Sequence, residues 1–304
     1  MAKRGTSGLS FLVAIDKPVG ISSHDVVNRL RWALGEGRIG HFGTLDPLAS
    51  GVMVVGVGPA ARLMNYLVDH DKTYVARIVF GQERNTDDAE GVPIAEAPVP
   101  AQVGERPFAE NVLSDFVGEL HQVPPQFSAI KRGGVTAYTR ARAGEAIDLA
   151  PRDIRVHSAE LLEVAPDEWT VRFCVSKGTY IRALARDIGR AVGCGAYLGG
   201  LRRERLGDIG LDACMTLEDV ENVSELRLLD PVELLGYPCL DIPEAERKAL
   251  MNGAKLPVFL PDMPLAYQGL VCALCDDELK AIYRVSDMPY MDCDCLFSIG
   301  VARG

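Results

Sequence analysis

The most informative stretch of the sequence is the glycine-bounded loop Gly40-His-Phe-Gly-Thr-Leu-Asp-Pro-Leu-Ala-Ser-Gly51, which runs directly into the apolar segment Val52–Val57. An aspartate followed by proline in such a loop, here Asp46, predicts a carboxylate held on a turn at the end of a buried strand. A turn-forming or helix-capping role is the ordinary interpretation of an Asp-Pro pair. The segments around the loop therefore decide whether this carboxylate belongs to a functional site.

The segments on either side of the loop alternate between helix and strand patterns. A helix is predicted from a cap at Ser22–Ser23 to Gly35, because apolar residues recur between them with a 3.6-residue period. Residues 73–80 and 169–176 alternate apolar and polar side chains, as strands with one solvated face do. A second helix is predicted within Thr179–Val192. These patterns predict an α+β fold, in which a mixed, largely antiparallel sheet is flanked by helices.

The end of the chain has a different pattern. Beyond about residue 243 it contains short β-rich runs that are separated by prolines and by Asp276-Asp277. Runs of this kind predict a small β-barrel-like domain. The sequence therefore predicts a large domain over residues 1–242 and a small C-terminal domain over residues 243–304.

The charge distribution bears on the class of partner. The chain has 304 residues, 48% of them apolar and 24% charged, which is typical of a folded globular protein. Its net charge of −10 argues against a nucleic-acid partner, but the acidity is confined to residues 206–304, which carry a net −11. Residues 172–205 contain eight cations against two carboxylates. Three of these cations are four residues apart and share one side of the predicted helix, which predicts a basic surface for phosphate contacts: Arg182, Arg186 and Arg190.

Four motifs occur in a fixed order along the chain. They are Lys17-Pro-Val-Gly-Ile-Ser-Ser23, Gly43-Thr-Leu-Asp-Pro-Leu-Ala-Ser-Gly51, Lys72-Thr-Tyr74 and Ser176-Lys-Gly-Thr-Tyr-Ile-Arg182. Together with the segment Gln122–Lys131, they resemble the TruB-type tRNA pseudouridine synthases over about residues 11–207. The resemblance implies the pseudouridine synthase fold for the catalytic domain at residues 1–242. It also implies that the small C-terminal domain is PUA-like.

The resemblance implies isomerisation of uridine 55 in the T loop of tRNA to pseudouridine, with the base flipped out of the loop. Asp46 matches the family's essential aspartate, which attacks the base or the ribose or assists loss of the base. Tyr74 matches the tyrosine that packs on the target base and can act as a general base. Arg182 matches the arginine that pairs with the aspartate. A bidentate pair would hold the carboxylate ionised and oriented. A buried core tyrosine and a solvated helical arginine are the alternative interpretations of Tyr74 and Arg182.

Further residues are expected to contact the substrate. By the same resemblance, His41, Tyr180 and Leu201 match positions that contact RNA or line the pocket, although a structural histidine and a core leucine are ordinary alternatives. Residues 122–146 are expected to form an RNA-binding flap, the alternative being a plain surface loop. The remaining candidates for RNA contacts are cationic: Lys17, Lys131, Arg186, Arg190, Arg202 and Arg203.

Three other functions are open at this point. One is a guide-RNA-dependent pseudouridine synthase of the same family, which the absence of a lysine-rich tail disfavours. Another is a non-catalytic RNA-binding or RNA-folding module, although such a protein needs no carboxylate beside phosphates. The third is a nicotinamide-dependent oxidoreductase, because Gly56-Val-Gly-Pro-Ala-Ala61 has the spacing of a dinucleotide-binding loop. The alternating pattern of residues 73–80 disfavours this function, since a dinucleotide fold needs a buried parallel strand there.

No metal or redox cofactor is expected. The spacing of Cys272, Cys275, Cys293 and Cys295 suggests zinc, but a strand places the first two on opposite faces, which favours buried apolar thiols. The expected partner is tRNA, bound through its T stem-loop by a monomer that has no obligate protein partner. No apolar run is long enough for a membrane span and no signal peptide is evident, so a cytoplasmic location is expected.

Overall fold

The computed structural model describes residues 7–67, 70–128, 131–132, 135–142, 148–221, 225–258, 267–286 and 289–304. The α-helices are α1 (Ser23–Leu34), α2 (Met64–Leu67), α3 (Arg106–Ser114), α4 (Ala137–Arg142), α5 (Ile181–Val192), α6 (Pro231–Leu235) and α7 (Arg247–Met251). None of these described helices is both long enough and apolar enough to cross a membrane. The strands before residue 221 are β1 (Phe11–Lys17), β2 (Ile39–Phe42), β3 (Ala49–Val57), β4 (Lys72–Phe80), β5 (Gln82–Arg84), β6 (Pro93–Glu96), β7 (Gly118–Gln122), β8 (Lys131–Arg132), β9 (Val135–Thr136), β10 (Arg152–Val164), β11 (Glu168–Val175), β12 (Ala196–Leu206) and β13 (Ile209–Gly210).

One mixed sheet forms the centre of the N-terminal part. Its strand order is β1-β3-β12-β4-β11-β10-β7, with β2 paired to β3 and β13 paired to β12. Strands β3 and β12 run parallel, and every other described pairing in this sheet is antiparallel. The predicted α+β fold with a largely antiparallel sheet is therefore confirmed.

Helix α1 begins and ends where the sequence predicts. The Ser22 side chain accepts a hydrogen bond from the Asp25 backbone N–H, while the Asp25 carboxylate accepts one from Ser22. This reciprocal pair satisfies two backbone donors that the first turn of a helix leaves free. Gly35 takes the left-handed conformation, with φ of +61°, and ends the helix. The apolar face of α1 lies in the main core: Val26, Val27, Leu30 and Leu34.

The core beneath the sheet is organised around Trp169 on β11. Its ring is fully buried and lies edge-on to Phe80, with ring centroids 4.6 Å apart. Its Nε1–H donates a 2.7 Å hydrogen bond to the Val103 carbonyl, so the buried indole is fully paired. Helix α5 packs its apolar face, which includes Leu184 and Ile188, into the same core. That packing fixes the position of the first turn of α5, which carries Arg182.

The segment Gly56–Ala61 is a packing feature and not a dinucleotide-binding loop. A Cβ on Gly56 would lie 2.7 Å from Ala61 Cα, and one on Gly58 would lie 2.0 Å from the Leu9 carbonyl oxygen. Both glycines therefore allow neighbouring backbone segments to approach closely. The following strand, β4, is antiparallel to β12, which itself runs parallel to β3, so the segment does not belong to a βαβ unit.

The C-terminal part forms a second sheet. Its strands are β14 (Cys239–Asp241), β15 (Leu256–Pro257), β16 (Gly269–Cys275), β17 (Glu278–Val285) and β18 (Tyr290–Val301), in the order β14-β16-β17-β18-β15. This small β-rich unit agrees with the predicted PUA-like fold, and its first strand begins slightly before residue 243. Strand β15 has only two residues, and residues 259–266 lie outside the described residues.

The two parts share a hydrophobic core. Phe297 and Leu279 of the second sheet pack in one cluster with Val52 and Val54 of β3. Polar contacts cross the same boundary, since Arg62 Nη1 donates a 2.7 Å hydrogen bond to the Leu296 carbonyl. The C-terminal sheet therefore supports the strand that follows the Asp46 loop.

Gly51 is expected to be intolerant of a side chain. Its φ is +108°, and a Cβ would lie 2.1 Å from the Arg203 carbonyl oxygen. We expect Gly51→Ala to lower the free energy of unfolding by about 3 kcal/mol, because backbone strain and overpacking act together. Chemical denaturation followed by circular dichroism measures this loss. Gly35→Ala is the control, because Gly35 also has a positive φ but faces open space, and about 1 kcal/mol is expected there. Equal losses for the two variants would contradict the clash at Gly51.

Candidate active site

A cavity of about 530 Å³ lies where the loop between β2 and β3 meets β4, β12 and the start of α5. Its volume is in the range of sites that bind small ligands, and a nucleoside is of that size. Six residues that the sequence singles out line this cavity: Asp46, Tyr74, Tyr180, Arg182, Leu201 and Arg203.

An ion pair between Asp46 and Arg182 lies in the cavity wall. Asp46 is on the turn before β3, Arg182 is in the first turn of α5, and Arg182 Nε is 2.9 Å from Asp46 Oδ2. The Arg182 side chain is 7% exposed and the Asp46 side chain 36% exposed, so a buried cation holds a carboxylate that stays accessible from the cavity. The Nε–H is not aligned for a hydrogen bond, so the contact is an ion pair without a directed hydrogen bond.

The other two guanidinium nitrogens of Arg182 bind elsewhere. Nη1 donates a 3.1 Å hydrogen bond to the Thr86 carbonyl, and Nη2 donates a 2.9 Å hydrogen bond to the Phe127 carbonyl. Because both are occupied, the guanidinium does not form the bidentate pair with Asp46 that was predicted. Arg182 instead joins the Asp46 loop to two further segments that are distant in the sequence.

Asp88 is a site residue that the sequence motifs do not mark. Its side chain is 4% exposed, and its Oδ2 lies 3.4 Å from Arg182 Nη1. The Thr86 hydroxyl and the Glu90 backbone N–H donate hydrogen bonds to its Oδ1. The only signal in the sequence is the acidic run Thr86-Asp-Asp-Ala-Glu90, which lies outside the four motifs.

Opposing effects act on the pKa of Asp46. Burial raises the pKa of Asp46 above its ordinary value, and the Asp88 carboxylate raises it further. The charges of Arg182 and Lys17 lower the pKa, but less than burial raises it. The carboxylate is consequently more basic than a solvated aspartate, which suits a group that must react with or accept from a substrate.

Two tyrosines line the cavity. Tyr74 is 8% exposed and lies on β4 directly opposite Arg203 of β12. Tyr180 precedes α5, and the Gln122 side chain fixes its backbone through hydrogen bonds to both its N–H and its carbonyl. The Arg152 guanidinium lies 5.6 Å from the centre of the Tyr180 ring, within the range of a cation–π contact. Both tyrosines thus present aromatic surface to the cavity. The strand that carries Tyr74 and the turn that carries Tyr180 are held in place by other contacts.

Sequence comparisons identify the family. The model of the TruB family pseudouridylate synthase N-terminal domain matches residues 31–181, and that of the tRNA pseudouridylate synthase B C-terminal domain matches residues 182–235. A tRNA pseudouridine synthase B of Azoarcus sp. (strain BH72) is 41% identical over 81% of this chain and 82% of that protein. A protein of the same name in Mycobacteroides abscessus is 40% identical over 89% and 91%. The chain belongs to the TruB family of pseudouridine synthases.

Solved structures share the fold of this TruB-family chain. The structure titled "Structure of H/ACA RNP bound to a substrate RNA containing 2'-deoxyuridine" aligns with a TM-score of 0.67 at 23% identity, covering 95% of this chain and 85% of that one. A Cbf5-Nop10-Gar1 complex gives the same TM-score at 24% identity, over 96% and 85%. Both similarities confirm the pseudouridine synthase fold.

Lys17 does not fit the predicted contact with an RNA backbone. Its side chain is fully buried, and its Nζ donates hydrogen bonds to the Pro18 and Ile21 carbonyls at 3.0 and 2.7 Å. Burial lowers the pKa of Lys17 to about 8, although the charge of Asp46 acts in the opposite direction. In this TruB-family enzyme Lys17 therefore contacts backbone carbonyls in the protein interior and interacts electrostatically with Asp46.

The basic face predicted for α5 is neutralised by acidic partners. Arg186 is 9% exposed and pairs with Asp87 and Asp187, both at 2.9 Å. Arg190 pairs with Glu83 through two hydrogen bonds, at 3.0 and 2.9 Å. The predicted phosphate-binding role of Arg186 is inconsistent with its burial, and the charge of Arg190 is already matched. The i, i+4 spacing correctly predicted that the arginines share one face of α5, but it did not predict that carboxylates pair with them.

Arg202 is also paired with a carboxylate, whereas Arg203 has no carboxylate partner among the described residues. Arg202 Nη2 lies 2.8 Å from Asp16 Oδ2, and the side chain is 42% exposed. Arg203 follows it in β12 but points to the other side of the strand, where it is 1% exposed and lines the cavity. Two adjacent arginines that the sequence does not distinguish therefore have different environments.

The remaining predicted contacts lie around the loop and the proposed flap. His41 on β2 is partly buried, and burial together with the charge of Arg203 lowers its pKa. Leu201 lines the cavity between Ala49 and Ala76 of the neighbouring strands. Lys131 belongs to β8, but its side chain lies outside what is described, as do residues 129–130, 133–134 and 143–146 of the flap.

The four C-terminal cysteines are separated by strand alternation. Cys272 and Cys295 lie in the core shared with the N-terminal part, whereas Cys275 and Cys293 pack in the cluster on the other side of the second sheet. Their sulfurs therefore do not converge on one point. Within the described ranges, no group of three or more histidine, cysteine, aspartate or glutamate side chains could hold a metal ion.

The pH dependence of the reaction is expected to respond to both neighbours of Asp46. Activity falls when Asp46 is protonated, so the acid limb of the pH–rate profile follows its pKa. Asp88 raises that pKa and Arg182 lowers it. We expect Asp88→Asn to move the acid limb to lower pH and Arg182→Met to move it to higher pH. Single-turnover rates between pH 4 and pH 8 measure both shifts, and movement in the same direction would contradict the assignment.

Proposed function

We propose that this pseudouridine synthase isomerises uridine 55 in the T loop of tRNA, acting in the cytoplasm as a monomer without a guide RNA. The observation that carries the proposal is the Asp46–Arg182 ion pair in the wall of a nucleoside-sized cavity. Around this pair, the chain keeps the four motifs of the TruB-type enzymes in order. A pure RNA-binding module has no use for a carboxylate held at that point.

The reaction rearranges bonds within one nucleotide. The N1–C1′ bond breaks, the uracil turns, a C5–C1′ bond forms, and the proton on C5 is replaced by one on N1. Asp46 is the carboxylate that faces this reaction centre, with Arg182 fixing its orientation. The side chains of Tyr74 and Tyr180 supply surface on which the base rests, and the cavity keeps the detached uracil from leaving.

The target base must leave the stacked T loop to reach the cavity. Flipping costs a few kcal/mol, which contacts to phosphates and to the exposed base offset. Lys177 is exposed at the cavity, and Arg152 lies over Tyr180 beside it. We place an electrostatic contact with the tRNA at Arg152, whereas Arg186 and Arg190 on α5 have carboxylate partners.

Asp46→Asn is expected to abolish pseudouridine formation. Affinity for tRNA is expected to change by less than about tenfold, because removing one carboxylate near phosphates is worth no more than about 1.4 kcal/mol. Tritium release from a tRNA transcript labelled at C5 of uridine, with no other protein or RNA added, measures turnover. Asp115→Asn, on the exposed end of α3, is the control. Near-wild-type turnover of Asp46→Asn would remove Asp46 from the mechanism. A wild-type enzyme that needs added RNA would favour the guide-dependent function.

The salt dependence of tRNA binding is expected to follow the cavity rim. Log affinity falls by about 0.7–0.9 per tenfold rise in salt for each phosphate neutralised. Arg152→Ala should therefore flatten the slope by about 0.7–0.9. Arg190→Ala should leave it unchanged, because Glu83 already neutralises that arginine. Filter binding at several salt concentrations tests both variants. A flatter slope for Arg190→Ala alone would contradict this placement and would indicate that α5 forms the RNA-binding surface.

A further inference from the structure

Arg203 is a buried arginine without a carboxylate partner. Its residue is 1% exposed, and among the described residues no carboxylate lies within 4.0 Å of its guanidinium. The other buried arginines near the site, Arg182 and Arg186, each have two such partners. A buried charge is costly unless something compensates it, so an uncompensated one in a cavity wall is a candidate for ligand binding.

The side chain of Arg203 is rigidly held. Nε donates a 2.6 Å hydrogen bond to the Val52 carbonyl, and Nη2 donates a 3.1 Å hydrogen bond to the Gly43 carbonyl. Nη1 is beside Gly43, where a methyl group would lie 3.4 Å from it, and both residues line the cavity. No described protein group accepts a hydrogen bond from Nη1. One end of the guanidinium is therefore fixed by the backbone, while the other is directed to the place where substrate binds.

The charge of Arg203 affects the pKa values of neighbouring groups. It contributes to lowering the pKa of both Lys17 and His41, although burial is the larger cause for each. The nearby cations Lys17, Arg182 and Arg203 face the two carboxylates Asp46 and Asp88. Glu90 is a third carboxylate that interacts with Lys17 and Arg182, so it is the charge of Arg203 that lacks a carboxylate within pairing distance among the described residues. An anionic group in the cavity would balance that charge.

We propose that Arg203 binds an anionic oxygen of the target nucleotide inside the cavity through its unoccupied Nη1 donors. The inference rests on the proposed function and adds a substrate-contacting residue to it. Two oxygens of the nucleotide have the required chemistry. One belongs to the phosphate next to the target uridine. The other is a uracil carbonyl oxygen, which gains negative charge when the N1–C1′ bond breaks and its electron pair stays on the base. Arg203 donates hydrogen bonds in both cases and transfers no proton.

The test compares Arg203→Met with wild type in two measurements. The first is the dissociation constant for tRNA, and the second is the single-turnover rate at saturating enzyme. Arg106→Met is the matched control, because Arg106 also donates to two backbone carbonyls, those of Leu161 and Leu162, but does not line the cavity. Circular dichroism and thermal unfolding establish that each variant is folded.

The two sources give different results. If the oxygen is on the phosphate, Arg203→Met should raise the dissociation constant by at least about tenfold and flatten the salt slope by about 0.7–0.9. If it is on the uracil, the single-turnover rate should fall by at least about tenfold with the dissociation constant nearly unchanged. That loss should be smaller for tRNA containing 5-fluorouridine, whose base leaves as a more stable anion. For this substrate the rate measured is the disappearance of the original nucleoside, because C5 carries fluorine and has no proton to lose. A merely structural defect would not depend on the leaving base.

The proposal is overturned if both measurements for Arg203→Met stay within about threefold of the Arg106→Met values. If Arg203→Met does not fold, Arg203→Lys is measured instead. A lysine keeps the positive charge, but its single nitrogen cannot donate at once to the Val52 carbonyl, the Gly43 carbonyl and the substrate oxygen that Nη1 would bind. A loss in either measurement then supports the proposal, and wild-type values overturn it. Failure of the proposed function is recognised separately, since wild-type enzyme would then form no pseudouridine although it binds tRNA.

Discussion

The Asp46–Arg182 ion pair is the constraint around which the rest of the site is arranged. One arginine contacts the loop before β3 through Nε, the turn at residues 86–88 through Nη1, and the segment at Phe127 through Nη2. The three segments are far apart in the sequence, so the guanidinium fixes their relative positions. Because Arg182 is in the first turn of a helix packed on the main core, its geometry is preorganised before any substrate arrives.

The same helix shows how charge in a sequence differs from charge on a surface. Arg182, Arg186 and Arg190 each face a carboxylate from residues 83–88, so successive turns of α5 are joined to one acidic segment by successive ion pairs. A count of basic residues cannot detect this, because the partners lie about a hundred residues earlier. Spacing along α5 predicts that the three cations share a side, and only the tertiary packing of that side determines whether they are available to RNA.

The parts of the site that the sequence predicted are those that lie in continuous motifs. Asp46, Tyr74, Tyr180 and Arg182 come from such motifs, and all of them line one cavity. Asp88 lies in no motif, because its importance comes only from its distance to Arg182. Lys17 was predicted as a contact because it is a lysine in a motif, whereas its burial depends on the chain that folds over it. The helix α1 and the alternating strands were predictable because local capping and periodicity determine them.

The alternation of side chains along β3 links the C-terminal sheet to the catalytic loop. Val52 and Val54 face the cluster that contains Phe297, whereas Met53 and Val55 face the main core with α1. A strand covered on both faces reads as a continuous apolar run, which is why Val52–Val57 was recognisable as buried but its covering partners were not. Asp46 precedes this strand, Gly51 lies within it, and Arg203 donates a hydrogen bond to its Val52 carbonyl. The acidic C-terminal sheet therefore contributes to the site by burying one face of β3, independently of any contact with RNA.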